Sequence, residues 1–254
     1  MVQLSSRANQ TAPHPCLDIG KNYPGPYLCY YDAPTPKAVQ SAVDLVLEVI
    51  EEDGPFDAVL GFSYGASLAV TVLAAAAERH PDKPPPFKSA VFFNTIIPYR
   101  LGSGILHLAY DTDIPGEGAV VSAHRSDYSA EQNEKYNVWQ DPEADAIVAE
   151  LDERRREARG STAAKGTGEF LLAFYGPIHG HRIHVPTVHV YGETDHSFKE
   201  HSRRAVEICD PAPGLKVITH GGGHHFPRDA ATVAKVVNAI QWVVEKGAHQ
   251  VPVF

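Results

Sequence analysis

The stretch VLGFSYGASLA, residues 59–69, constrains the chain more than any other, because an apolar run ends in one serine between two glycines and passes at once into helix. Phe56 to Phe62 has the length of a buried strand, and Leu68, Val72, Ala75 and Ala76 form one apolar helical face after it. Strand, corner and helix follow without a loop. Either the corner is a turn that contains a serine, or it holds the Ser63 hydroxyl out of a sheet as a nucleophile.

The rest of the chain repeats the alternation. Thr35 can cap a helix with Pro36 in its first turn, and Val39, Ala42, Val43, Val46, Leu47 and Ile50 recur at helical spacing until Glu51, Glu52, Asp53 and Gly54 stop it. Residues 89–97, 185–191 and 215–219 read as further buried strands. Residues 197–209 read as a helix, and Asp229 can cap a last one carrying Val233, Val236, Val237, Ile240 and Val244 on one face. Such alternation predicts an α/β fold with a doubly wound, mostly parallel sheet. With 254 residues, 43% of them hydrophobic and no shift in composition, one domain over 1–254 is expected. The interval 99–183 breaks the rhythm. It holds a Gly/Asp-rich piece and then PEADAIVAELDERRREAR, whose mixed charges predict an exposed helix with Arg154, Arg155 and Arg156 on a solvated face. This interval is expected to form a lid or excursion over a sheet edge.

Gly61-Phe62-Ser63-Tyr64-Gly65 fits G-x-S-x-G. A nucleophile on so tight a turn sits in strained backbone, so the residues two positions to either side are expected to be small. The same turn aims the Tyr64 amide and the helix N-terminus at the place where an oxyanion would form. A serine hydroxyl also needs a base, and the base an orienting acid. In this architecture they follow in the order Ser, acid, His, each after a strand. VPTVHVY runs into Gly192-Glu193-Thr194-Asp195, and LKVIT runs into His220-Gly221-Gly222-Gly223-His224-His225. Both stretches lie at strand ends, where ligand sites of open α/β sheets are found. Asp195 is the expected acid, since Glu193 follows its strand too closely to reach across. Among nine histidines between His179 and His225, His179, His181 and His184 do not form HxxxH, and no Asp/Cys group completes a metal set. His220 ends a strand and His225 is directed away from its neighbour. The triple glycine lets the loop bend toward Ser63, which makes His224 the expected base.

Together GPFDAVLGFSYGASLA, VPTVHVYGETD, HGGGHHFP and the earlier YPGPYLCYYD resemble the fungal serine hydrolase family, FSH. The resemblance runs from Tyr23 to the final helix and is slightest over 99–183. It implies an α/β-hydrolase fold with Ser63 as nucleophile, Asp195 as acid and His224 as base, the last in an H-x-G-G-H-x-x-P pattern. It also implies hydrolysis of a carboxylic ester or thioester, often release of a polyketide acid from its carrier in secondary metabolism, and no cofactor. The chain departs from the family at its start. Members begin with an apolar strand ending in His-Gly, whose loop supplies the second oxyanion amide, whereas the first residues here are polar. Residues 57–62 are therefore expected at a sheet edge, with an apolar strand encoded upstream of Met1 or residues before Tyr23 in its place. A protein that kept the fold and lost activity, serving binding or regulation, is the alternative.

A formal charge of −9 argues against nucleic acid or an anionic membrane as partner. No basic-then-apolar leader and no long apolar run is visible, which predicts a cytoplasmic protein acting on a small acyl ester or thioester. Cys16, Cys29 and Cys209 stand far apart without a CxxC pair, which supports neither disulfide framework nor zinc ribbon. GFSYGAS is not GxGxxG, and no GxxxxGK[ST] occurs, so a nucleotide-binding oxidoreductase is set aside.

Overall fold

The computed structural model describes residues 9–11, 27–31, 34–102, 104–114, 116–158 and 165–249. Two short strands, β1 (Asn9–Thr11) and β2 (Tyr27–Cys29), pair antiparallel as a separate ribbon. Helix α1 (Pro36–Asp53) begins where expected: Thr35 Oγ1 accepts the Ala38 amide at 3.2 Å and Pro36 opens the first turn. Its buried face is Val39, Ala42, Val43, Val46 and Val49, while Leu47, which the spacing would bury, is exposed. Strand β3 (Phe56–Phe62) turns at Ser63 into α2 (Tyr64–Arg79), whose middle is buried nearly all round, and β4 (Phe87–Phe93) follows. Beyond it, Asn94 adopts a left-handed φ of 43° and ends the strand, although Thr95, Ile96 and Ile97 are as buried as the strand itself.

The excursion contains more structure than a charged helix. Strands β5 (Leu106–Asp111), β6 (Val120–Arg125) and β7 (Lys165–Phe170) form an antiparallel sheet in the order β6-β5-β7. Helices α3 (Ala130–Lys135) and α4 (Ala144–Ala158) lie between β6 and β7 in sequence, and α5 (Gly176–His179) comes after. Leu106, Leu108, Tyr110 and Phe170 pack with Ile147 and Leu151 of α4 in a core of their own. So α4 is amphipathic rather than simply exposed. Arg154 Nε pairs with buried Glu150 at 3.0 Å and its guanidinium lies 5.6 Å from the Tyr110 ring centre, while Arg155 pairs with Asp152. These two arginines thus have partners on the helix, in place of the purely solvated face expected; the Arg156 side chain lies outside the described residues.

After the excursion come β8 (Thr187–Gly192), α6 (Lys199–Glu207), β9 (Leu215–His220) and α7 (Ala230–Ala248). The main sheet has the order β3-β4-β8-β9, every pair parallel. Helices cover both faces. Ala90 and Phe92 pack into the core that holds α1 and α2, while Val91 and Phe93 meet Val188, Val190 and the Val236, Ala239 and Val243 face of α7. Burial on two faces is why β4 and β8 read as mostly apolar runs, broken by Lys88 and Ser89 in β4 and by His189 in β8. Strand β3 pairs only with β4 among the described residues, so the strand leading to Ser63 lies at an edge, with Leu60 exposed. Among the described residues no helix is long and apolar enough to cross a membrane.

Candidate active site

Ser63 occupies the corner between β3 and α2 with φ 54° and ψ −119°, a conformation that costs a non-glycine residue roughly 1–3 kcal/mol. Neighbouring bonds hold it there: its N–H donates to the Phe93 carbonyl at 2.9 Å, and its carbonyl accepts from Ser67 N–H at 3.0 Å. At Gly61 a Cβ would stand 2.5 Å from the Gly65 carbonyl oxygen and 2.6 Å from Ala66 Cα, so helix and strand meet only because that side chain is absent. At Gly65 a Cβ would find nothing closer than Tyr30 Cε2 at 4.0 Å. The symmetrical need for small residues on both sides of the serine therefore holds at Gly61 and fails at Gly65. Tyr64 is the first residue of α2, so its amide lies at the positive end of the helix dipole beside Ser63.

Three loops bring Ser63, His224 and Asp195 together. His224 Nε2 lies 2.8 Å from Ser63 Oγ, and its Nδ1 lies 2.7 Å from Asp195 Oδ2. An ionised carboxylate can only accept, so the proton of the neutral ring sits on Nδ1 and donates to Asp195, leaving Nε2 to accept from the serine hydroxyl. Asp195 is buried at the start of the α6 segment, where its other oxygen accepts the Phe198 amide at 3.2 Å and its carbonyl accepts from Lys199 N–H at 2.9 Å. His224 keeps about a quarter of its side chain open, at 27%. Phe198 and Phe62 flank its ring at 4.9 and 5.3 Å between centres, and Phe226 stacks on Phe62 at 4.7 Å. These aromatic walls keep the imidazole from swinging away.

The other candidates stand elsewhere. Glu193 forms an ion pair with Lys199 and does not reach His224. His220 is buried, accepts the Gly222 amide on Nδ1 at 3.1 Å, and is held below the ordinary histidine range by burial and by His225 beside it. The His225 ring turns back to the Phe226 carbonyl at 2.7 Å. Among the described residues no three His, Cys, Asp or Glu side chains are arranged to hold a metal ion.

Residue-by-residue reading of motifs misses Asn94 and Gly192. A Cβ at Gly192 would collide with the carbonyl oxygens of Gly222 and Gly223 at 2.1 and 2.3 Å, so the histidine loop lies directly on the end of β8. Fully buried Asn94 bridges the same two segments. The signal available in the sequence is slight: an asparagine directly after an apolar strand, a residue type that tolerates left-handed backbone.

The family profile of the serine hydrolase (FSH1) matches residues 27–236. "Esterase alnB" of Emericella nidulans is 30% identical over 249 residues, covering 91% of this chain and 82% of that protein. "Hydrolase FUB4" of Fusarium oxysporum f. sp. lycopersici is 32% identical over 216 residues, with 82% and 74% covered. Among solved structures, the monoacylglycerol lipase of Paleococcus ferrophilus aligns at a TM-score of 0.41 and 16% identity, over 82% of this chain and 76% of that one.

Proposed function

Since the chain belongs to the serine hydrolase (FSH1) family and is a hydrolase of the α/β type, we propose that it cleaves carboxylic esters or thioesters through Ser63, His224 and Asp195. The observation that carries this reading is the unbroken hydrogen-bonded chain from Ser63 Oγ through His224 to Asp195, at 2.8 and 2.7 Å. Ser63 Oγ attacks the acyl carbon as its proton passes to His224 Nε2, and the carbonyl oxygen gains the negative charge. The Tyr64 amide and the N-terminus of α2 stabilise that charge. Collapse breaks the bond to the alcohol or thiol, which takes the proton from His224, and Ser63 is left acylated. Water then gives a proton to His224 and attacks the acyl-enzyme; the acid departs and Ser63 recovers its proton. Asp195 stays ionised throughout, fixing the tautomer and steadying the imidazolium.

The substrate is a small acyl ester or thioester, carrier-bound polyketide thioesters of secondary metabolism among them. Turnover of short and long p-nitrophenyl esters and of acyl thioesters, with S63A as control and a fluorophosphonate probe for the activated serine, tests both chemistry and chain length. Labelling at Ser63 with release of acid is the expected result. Equal turnover by S63A, or no labelling of the native protein, overturns the reading.

A further inference from the structure

We infer that Asn94 is a positioning residue that sets the His224 loop against the end of β8, an inference that rests on the proposed roles of Ser63 and His224. The segment at the end of β4 touches all three loops of the site. The Phe93 carbonyl accepts the Ser63 amide at 2.9 Å, and the Asn94 amide donates to the Val190 carbonyl at 2.8 Å. The Asn94 side chain then does two opposite things: Oδ1 accepts the Gly192 amide at 3.1 Å, and Nδ2 donates to the His225 carbonyl at 3.0 Å. Gly192 lies three residues before Asp195, and the His225 carbonyl one residue beyond His224. One buried side chain therefore ties the acid's loop to the base's loop.

The composition of these loops makes such a tie necessary. Gly192 meets Gly222 and Gly223 backbone to backbone, with no side chain to interlock them. Past the end of β9, the loop's backbone is otherwise held to the β8 side through Thr194, whose N–H donates to the Gly222 carbonyl at 3.1 Å and whose hydroxyl donates to the Gly221 carbonyl at 3.4 Å. Replacement of Asn94 is demanding. An aspartate could accept from Gly192 and could not donate to His225, and most side chains resist the φ of 43°.

The test uses the full chain and p-nitrophenyl acetate. N94G adopts the left-handed φ freely and so removes only the two side-chain bonds, while N94A also adds backbone strain. Both are expected to lower kcat about tenfold to a hundredfold, the loss that goes with a misplacement on the order of 1 Å, while KM moves far less. N94D, which keeps the acceptor, serves if the other two do not fold, and is expected to lose kcat as well. The decisive readout is non-additivity: in an H224A background, N94G should lower the residual rate no further than about twofold, since a residue acting through His224 has nothing left to position. Unchanged kcat in the folded Asn94 variants, or the same loss with and without His224, overturns the inference. Full activity of S63A strikes at the proposed chemistry itself and separates that failure from this one.

Discussion

Two histidines in two sheets show how differently the halves of this molecule are built. His189 sits in β8, in the middle of the parallel sheet, buried, with neither ring nitrogen hydrogen-bonded among the described residues and its ring 5.1 Å from Phe92. Burial alone holds it neutral, with its pKa pushed down to about 3. His107 sits in β5, in the middle of the antiparallel sheet, on the face away from its core. It lies level with His124 on one side and Glu169 on the other, over a cleft of about 410 Å³, and its Nδ1 stands 3.7 Å from Glu169 Oε1 with both side chains open to water. A central parallel strand has no wet face, so a histidine there acts as a filler whose charging opposes the fold. A central antiparallel strand has one, so the same residue there faces water. In the parallel sheet the groups that meet in hydrogen-bonded contact, Ser63, His224 and Asp195, lie beyond the ends of the strands.

Four measurements would break or sharpen that contrast. The largest effect should come from S63A or H224A, which are expected to cut ester turnover by about a millionfold while the thermal unfolding midpoint hardly moves; D195N should cost less, on the order of ten-thousandfold. A loss of stability as large as the loss of activity would show that strand ends are also structural. Next, L108A opens a cavity in the second core, where Leu108 is 2% exposed. It should remove about 2–5 kcal/mol from the excursion's stability in chemical denaturation. Unchanged kcat below the transition would mark that sheet as separable from the chemistry.

Acid should then act through His189. Its folded pKa of about 3 lies below the usual value near 6.5, so between those limits the unfolded chain binds the extra proton and stability falls as the pH falls. The contribution is full above pH 6.5, and about 2 kcal/mol of it is gone by pH 5. H189L, which cannot titrate, should flatten the acid limb of denaturant midpoints measured from pH 7.5 to 5; an unaltered limb would refute the account. The smallest effect belongs to H107A, whose exposed pair with Glu169 should be worth within about 0.5 kcal/mol at neutral pH. A larger loss would mean that the wet face does structural work.

The same contrast explains what could be read from the chain. Strands buried on both faces appear as apolar runs, so β4 and β8 were legible, and the edge strands β3 and β9 showed as short runs rich in β-branched and aromatic residues; the ends of β3, β8 and β9 pointed to Ser63, Asp195 and His224. Strand β7 is KGTGEF, three of its side chains exposed and two of its residues glycine, and nothing in that string marks a strand until β5 supplies its hydrogen bonds. The excess length expected for β4 came from the apolar residues after Phe93, where the torsion at Asn94 decides the boundary and hydropathy does not. Asn94 itself was hidden because its partners lie 98 and 131 residues further on. The strain at Ser63, by contrast, is local and left its mark as Gly61.

The sequence distance from Ser63 to His224 is 161 residues, and that number also sets a clock. At about 5–20 residues per second, synthesis separates the proposed nucleophile from its proposed base by roughly 8 to 30 s. During that interval β3 and α2 can collapse on α1 with a strained serine and no group to take its proton. On the proposed mechanism, ester hydrolysis by the nascent chain waits until His224 has been made. On that same reading, the first hydrolytic event reports that β9 has docked and the glycine loop has settled on Gly192.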